Sequence, residues 1–140
     1  MANPRLVVDF EGIDGHYTGY TVDGTTIAFN PLVARGTTVF DRAVALAGPG
    51  VVKLAGDGDR VIGRLERVES DGVATVQDGG HTILPAGTAA AITNGLDVVG
   101  ALLVAAPGYI KEVAAGGVNA GGHQIIDNTT STAVKVRLNR

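Results

Sequence analysis

Histidines, serines and paired carboxylates are the residues of this chain that could do chemistry, and their spacing limits what that chemistry is. The histidines His16, His81 and His123 stand far apart in glycine-flanked stretches. No HxH, HExxH or HxxxH spacing puts two of them on one face of an element, so nothing local signals a metal site or a proton relay. Solvated loop positions are the expectation. Ser70 and Ser131 are the only serines, and neither sits in the G-x-S-x-G elbow that exposes a nucleophile. Asp57-Gly58-Asp59 has the first two acids of a calcium loop, but no third acid and no closing Glu follow at the required steps. It reads as a hairpin turn with acidic surface residues. Glu66 and Glu69 alternate with Arg64 and Arg67, a pattern of cross-strand surface pairing that supplies no apolar pocket to raise a carboxyl pKa. Gly79-Gly80 and Gly116-Gly117 fit neither phosphate-cradling glycine pattern. The expectation is no catalytic residue, no metal, no cofactor and no enzymatic activity.

The elements that would position any site follow from composition. The chain has 140 residues, enough for one domain with a real core; 45% are hydrophobic but only 4% aromatic, so Val, Ala, Leu and Ile must build that core. Its 21 glycines lack a Gly-X-Y period and mark turns between many short strands. A net charge of −3 gives no broad electropositive field for nucleic acid. Cysteine is absent, which removes disulfides and thiolate metal sites and fits synthesis in a reducing cytoplasm. The first residues lack the apolar core and cleavage site of a signal peptide. Val98 to Pro107, the most apolar stretch, is too short for a membrane span. The expectation is a soluble chain with no membrane partner.

Residues 1–36 carry most of the aromatic residues. Leu6 to Phe10 reads as a strand, and Tyr17 to Val22 with Thr25 to Phe29 reads as a hairpin around Asp23-Gly24. Thr37 to Leu46 reads as a strand or as a short helical turn over Asp41 to Ala47. Gly48-Pro49-Gly50 turns the chain into Val51 to Leu54. Val61 to Glu69 and Val73 to Asp78 form a hairpin at Ser70-Asp71-Gly72. Val98 to Val104 and Tyr109 to Val113 flank Pro107-Gly108, and His123 to Asp127 with Ala133 to Leu138 form a last hairpin. There Val134, Val136 and Leu138 alternate with Lys135 and Arg137 and are core candidates. The reading is all-β, a compact barrel or sandwich of short strands.

A faint echo runs through it. Residues 32–77 recur at 91–137, with Gly36 opposite Gly95, Val39 opposite Val98, Pro49-Gly50 opposite Pro107-Gly108 and Lys53 opposite Lys111. Two copies in a short chain imply a pseudo-symmetric β fold and not two separate domains. The expected division is a docking segment with a strand and a hairpin at 1–30 and a barrel-like core at 31–140. In that segment Phe10, Tyr17, Tyr20 and Phe29 either form a docking surface or plug one end of the barrel.

The layout resembles that of small bacteriophage capsid decoration (cement) proteins. The resemblance rests on Ile92 to Gly100, on Val61-Ile62-Gly63-Arg64 leading through Ser70-Asp71-Gly72 to Val73-Ala74-Thr75-Val76, and on the closing Val134 to Leu138. It spans roughly residues 32–138 and consists of turn and apolar positions, without chemical groups that define a site. It implies a β-rich protein without enzymatic activity, attached outside an icosahedral shell of major capsid protein. It also implies a homo-oligomer, commonly a trimer, located on the virion exterior; the candidate capsid contacts, Phe10, Tyr17, Tyr20 and Phe29, come from the concentration of aromatic residues near the start of the chain and not from the resemblance. Two other classes stay open. A non-catalytic module for carbohydrate or a protein ligand would need Tyr17, Tyr20 and Tyr109 on one face, and a small β hydrolase would need a histidine and an acid to converge in a pocket.

Overall fold

A computed structural model describes residues 15–86, 97–101, 107–112, 123–127 and 133–138. The strands are β1 His16–Val22, β2 Ala43–Gly48, β3 Val51–Leu54, β4 Gly63–Val68, β5 Val73–Pro85, β6 Val98–Gly100, β7 Ile110–Glu112, β8 Gln124–Asp127 and β9 Ala133–Leu138. The fold is all-β. β1, β3, β2, β4 and the first half of β5 pair in that order, and β5 returns to β1, closing a five-stranded barrel. Ile27, Val44, Val52, Leu54, Leu65 and Val76 fill it, each almost wholly buried. No helix among the described residues is long and apolar enough to cross a membrane.

The long strand β5 does not stop at Asp78. The sequence pattern ends this strand there, yet it runs on through Gly79-Gly80 for 13 residues in all. Gln77 explains this locally: its buried Nε2 donates to the carbonyls of Gly79 (3.0 Å) and His81 (3.1 Å), stapling the chain across the glycines. Beyond them β5 pairs with β9, and β9 with β8.

These later pairings repeat the earlier ones. Leu65 faces Val76 and, sixty positions on, Ile125 faces Val136. Arg67 faces Thr75 as Asp127 faces Lys135, and both ladders slip at the same step, between Leu65 and Arg67 and between Ile125 and Asp127. Tyr17 to Thr21 run against Gln77 to Val73 in the register in which His81 to Pro85 run against Arg137 to Ala133. The parallel pair Val22 and Val52 returns as the bridge Ala86 and Ile110, and Lys53 opposite Ala45 returns as Lys111 opposite Val99. Register is fixed by which side chains enter the core, and the cores match too. Leu84, Ala86, Val98, Ile110, Ile125, Val134 and Val136 belong to the second cluster, which Ala43, Ala45 and Ala55 of the first repeat also join.

The repeat is thus real in the strands but its limits differ from the sequence echo. It begins at β1 and at the second half of β5, a stretch the echo misses because Thr18 and Thr82 are the only identical pair among those ten residues. Val98 corresponds to Val44 and not to Val39, which lies in the bends before β2 and packs on the first core. One seam of the second set departs from the first. The described residues of β6 do not ladder with β8; the loop before β4 lies there instead, with Arg60 bridging Val99 and Val61 buried in the second cluster.

Two expectations near the start need correction. Residues 16–27 belong to the barrel, through β1 and the fully buried Ile27, so a boundary at residue 30 does not separate a docking segment from a core. Thr25 to Phe29 form no strand. The reason is Asp23, whose carboxylate accepts from the backbone N–H groups of Thr26 and Ile27 and the hydroxyls of Thr25 and Thr26, folding the chain into a side-chain-capped loop. Partial burial pushes the Asp23 pKa up, but hydrogen bonds from the Thr26 hydroxyl, the Ile27 N–H and Thr25 outweigh it and hold the carboxyl below its ordinary 3.8. Its contribution to stability is therefore complete above that unfolded value and fades as pH falls through the lowered folded one. Asp23→Ala is expected to cost about 1 kcal/mol at neutral pH. It should also flatten the acid limb of a stability–pH curve measured by urea melts between pH 2 and 7.

Candidate functional site

The sequence-chosen aromatic residues do not gather. Tyr17 and Tyr20 are three apart on β1, and the two-residue period of a strand sends them to opposite faces. Tyr17 is exposed, whereas Tyr20 packs on the first core. Phe29 is exposed on the loop after Ile27. Phe10 lies outside the described residues. Tyr109 stands elsewhere, under Arg42, so Tyr17, Tyr20 and Tyr109 make no shared platform.

The histidines also differ from expectation. His123 is buried, not solvated, with Nε2 2.8 Å from the Val61 carbonyl. His16 Nδ1 meets the buried carboxylate of Asp78 at 2.5 Å. Asp78 is the extra residue of a bulge against β1, which turns its side chain toward that strand. The nearby hydroxyl, Thr18 Oγ1, donates to the other oxygen of Asp78 at 2.7 Å. It addresses the acid and not the imidazole, so the three do not line up as nucleophile, base and orienting acid. Among the described residues no three His, Asp or Glu side chains converge.

Asp57 and Asp59 have a structural task. Asp59 pairs with Lys53 at 3.1 Å and Asp57 with Lys111 at 2.6 Å. The two lysines hold equivalent places in the two repeats, so one acidic turn ties both together. Asp59 also accepts the Gly56 N–H at 2.8 Å, closing the turn on itself.

What the fold does assemble is a cleft of about 450 Å³ between the repeats. Phe40, Asp41, Arg42 and Arg64 line it from the first repeat, and Ile83, Pro85, Tyr109 and Ala133 from the second. An ion-pair network stiffens one wall. Asp41 accepts from Arg35 at 2.7 Å and lies 3.3 Å from Arg64; Arg64 also donates to Glu66 at 2.7 Å. Glu66 is the extra residue of the β4 bulge, which aims it along the strand toward Arg64. Arg35 and Asp41 both sit at positive φ, 60° and 66°. Such backbone persists in non-glycine residues only where surrounding contacts hold it; here Asp41 N donates to Leu65 O at 2.7 Å and the Arg35–Asp41 pair links the two residues. Arg35 also covers the Phe40 ring at 4.7 Å, and Arg42 covers Tyr109 at 5.7 Å. Ile83 is 48% exposed at the rim.

The cleft as a set is not signalled locally, because its walls draw on segments far apart in the chain; the sequence singles out Arg64 and Tyr109, but for other roles. The pairing expected across strands runs instead between residues two apart in the chain: Arg64–Glu66 and Arg67–Glu69 are salt bridges of 2.7 and 2.8 Å. No protein-family model matches the chain, and no curated protein matches it.

Proposed function

We propose that the protein is a non-catalytic structural component of a virion, docking on the outside of a phage shell of major capsid protein and stabilising it as a decoration protein, in a homo-oligomeric, trimeric form. The resemblance in turn and strand pattern supports the identity of the partner. The observation that carries docking is the inter-repeat cleft with its rim. Aromatic rings, arginines and a half-exposed isoleucine, on β4, β5 and the segments leading into β2 and β7, are the composition of the buried centre of a protein interface. The ion-pair network keeps that wall in one arrangement, so little ordering entropy is lost on contact. Repeated weak contacts from an oligomer then add up to firm attachment.

Co-sedimentation with undecorated shells of the cognate capsid protein tests this. The parent chain is expected to pellet with the shells, with a native mass of a trimer. Ile83→Asp should weaken pelleting at least tenfold, since a carboxylate replaces apolar contact at the rim. Tyr17→Ala and Phe29→Ala should pellet like the parent. Failure of the parent to bind shells would remove the reading; loss confined to the Tyr17 and Phe29 variants would move the docking surface off the cleft.

A further inference from the structure

The cleft is not only apolar; it holds unspent positive charge. Arg35 and Arg64 share the carboxylates of Asp41 and Glu66. Arg42, in the same wall, meets no carboxylate among the described residues. Its Nη1 donates to the Pro107 carbonyl at 3.3 Å and its guanidinium lies on Tyr109, which leaves most of its five donors unused. Arg64 adds a second unspent group, a buried Nε without a hydrogen-bond acceptor. Three guanidinium groups against two carboxylates give a local surplus of one positive charge, in a chain whose net charge is −3. Apolar walls from Phe40, Ile83, Pro85 and Tyr109 lower the local dielectric and strengthen any pairing made there.

We propose that this cleft binds the carboxylate side chain of an acidic loop on the partner protein, with Arg42 as its counter-ion and Phe40, Tyr109 and Ile83 covering the apolar residue beside it. A single carboxylate matches the surplus of one charge. A dianionic phosphate would overload it and crowd Asp41, which stands in the same wall. The volume of about 450 Å³ suits one or two side chains and lies in the usual range of ligand sites. The proposal rests on the docking reading and gives its partner a chemistry: an Asp or Glu flanked by an aliphatic or aromatic residue.

The test is a titration of the full chain, followed by NMR, with a capped tetrapeptide carrying Glu-Leu at its centre, its Gln-Leu counterpart, and inorganic phosphate. The Glu peptide is expected to shift the resonances of Arg42, Tyr109 and Ile83 and to bind at least tenfold more tightly than the Gln peptide. Arg42→Gln should lose that preference, and Arg42→Lys, which keeps the charge, should retain part of it. Melting curves confirm that both variants are folded. Equal binding of the two peptides, shifts centred elsewhere, or phosphate binding tighter than the Glu peptide would each overturn the proposal. Pelleting with shells separates it from the reading beneath it. If Arg42→Gln loses the peptide but pellets like the parent, docking stands and the acidic partner loop is wrong. If the peptide binds as expected but the parent does not pellet, the cleft chemistry stands and the shell is not its partner.

Discussion

A chain beginning at Pro31 is expected to be unfolded. Such a truncation removes β1, which lies between β3 and β5 and pairs with both. It also removes Ile27, fully buried among Val44, Val52 and Leu65. Two strands would be left with unpaired edges and the first core open to water. A net stability of about 5–15 kcal/mol cannot absorb the loss of a whole barrel strand together with a large core side chain. Circular dichroism should show no β signal, and amide protons should exchange freely. A truncated chain that kept a cooperative melt would mean that β1 is an accessory to the barrel and not one of its staves.

Gly100→Ala is expected to do damage out of proportion to its size. Gly100 N donates to Asp59 O at 2.9 Å, and Gly58 N donates to Gly100 O at 2.8 Å. A Cβ there would fall on the Gly56 carbonyl oxygen and within 3.2 Å of the Ala55 carbonyl carbon. Backbone, not a movable side chain, occupies that space, so the acidic turn would have to leave β6. With it would go the pairing of Asp57 and Asp59 to the two repeat lysines. The expected loss is about 3 kcal/mol or more. Gly48→Ala is the control: nothing lies within 4 Å of a Cβ at that position, and its urea midpoint should stay close to the parent's. Equal midpoints for the two variants would show that the turn can retreat from β6 without consequence.

Where side chains alternate cleanly, the sequence is a good guide. Val134, Val136 and Leu138 are buried in alternation along β9, and the turn at Ser70-Asp71-Gly72 joins β4 to β5 with Gly72 at φ +79°. Both depend on neighbouring residues only. The errors have a common cause, which is that tertiary partners override local signals. Asp23-Gly24 has the residues of a hairpin turn, but Asp23 takes the following N–H groups for its own carboxylate. Gly79-Gly80 has the residues of a stop, but Gln77 bridges it from inside. The repeat reaches back to β1, where position on the ladder agrees and residue type does not. The cleft was the least legible part. Arg42, Arg64, Ile83 and Tyr109 come from four segments, and only the docking of one repeat on the other makes them neighbours.

The strand common to both repeats also constrains how the chain can vary in length. Thr82 and Leu84 are buried while Ile83 faces outward, and the same alternation upstream sets Ala74 and Val76 inside the first barrel. Inserting or deleting one residue near Gly79 would send Ile83 inward and Thr82 and Leu84 outward, reversing the lining of the second core along that strand. Loop connections tolerate gains and losses of any number, but in the middle of this strand only changes in twos, or a compensating bulge, preserve which side is which. Among descendants of this gene, length variation should therefore collect in the connections and leave the span from Val73 to Pro85 at a fixed count.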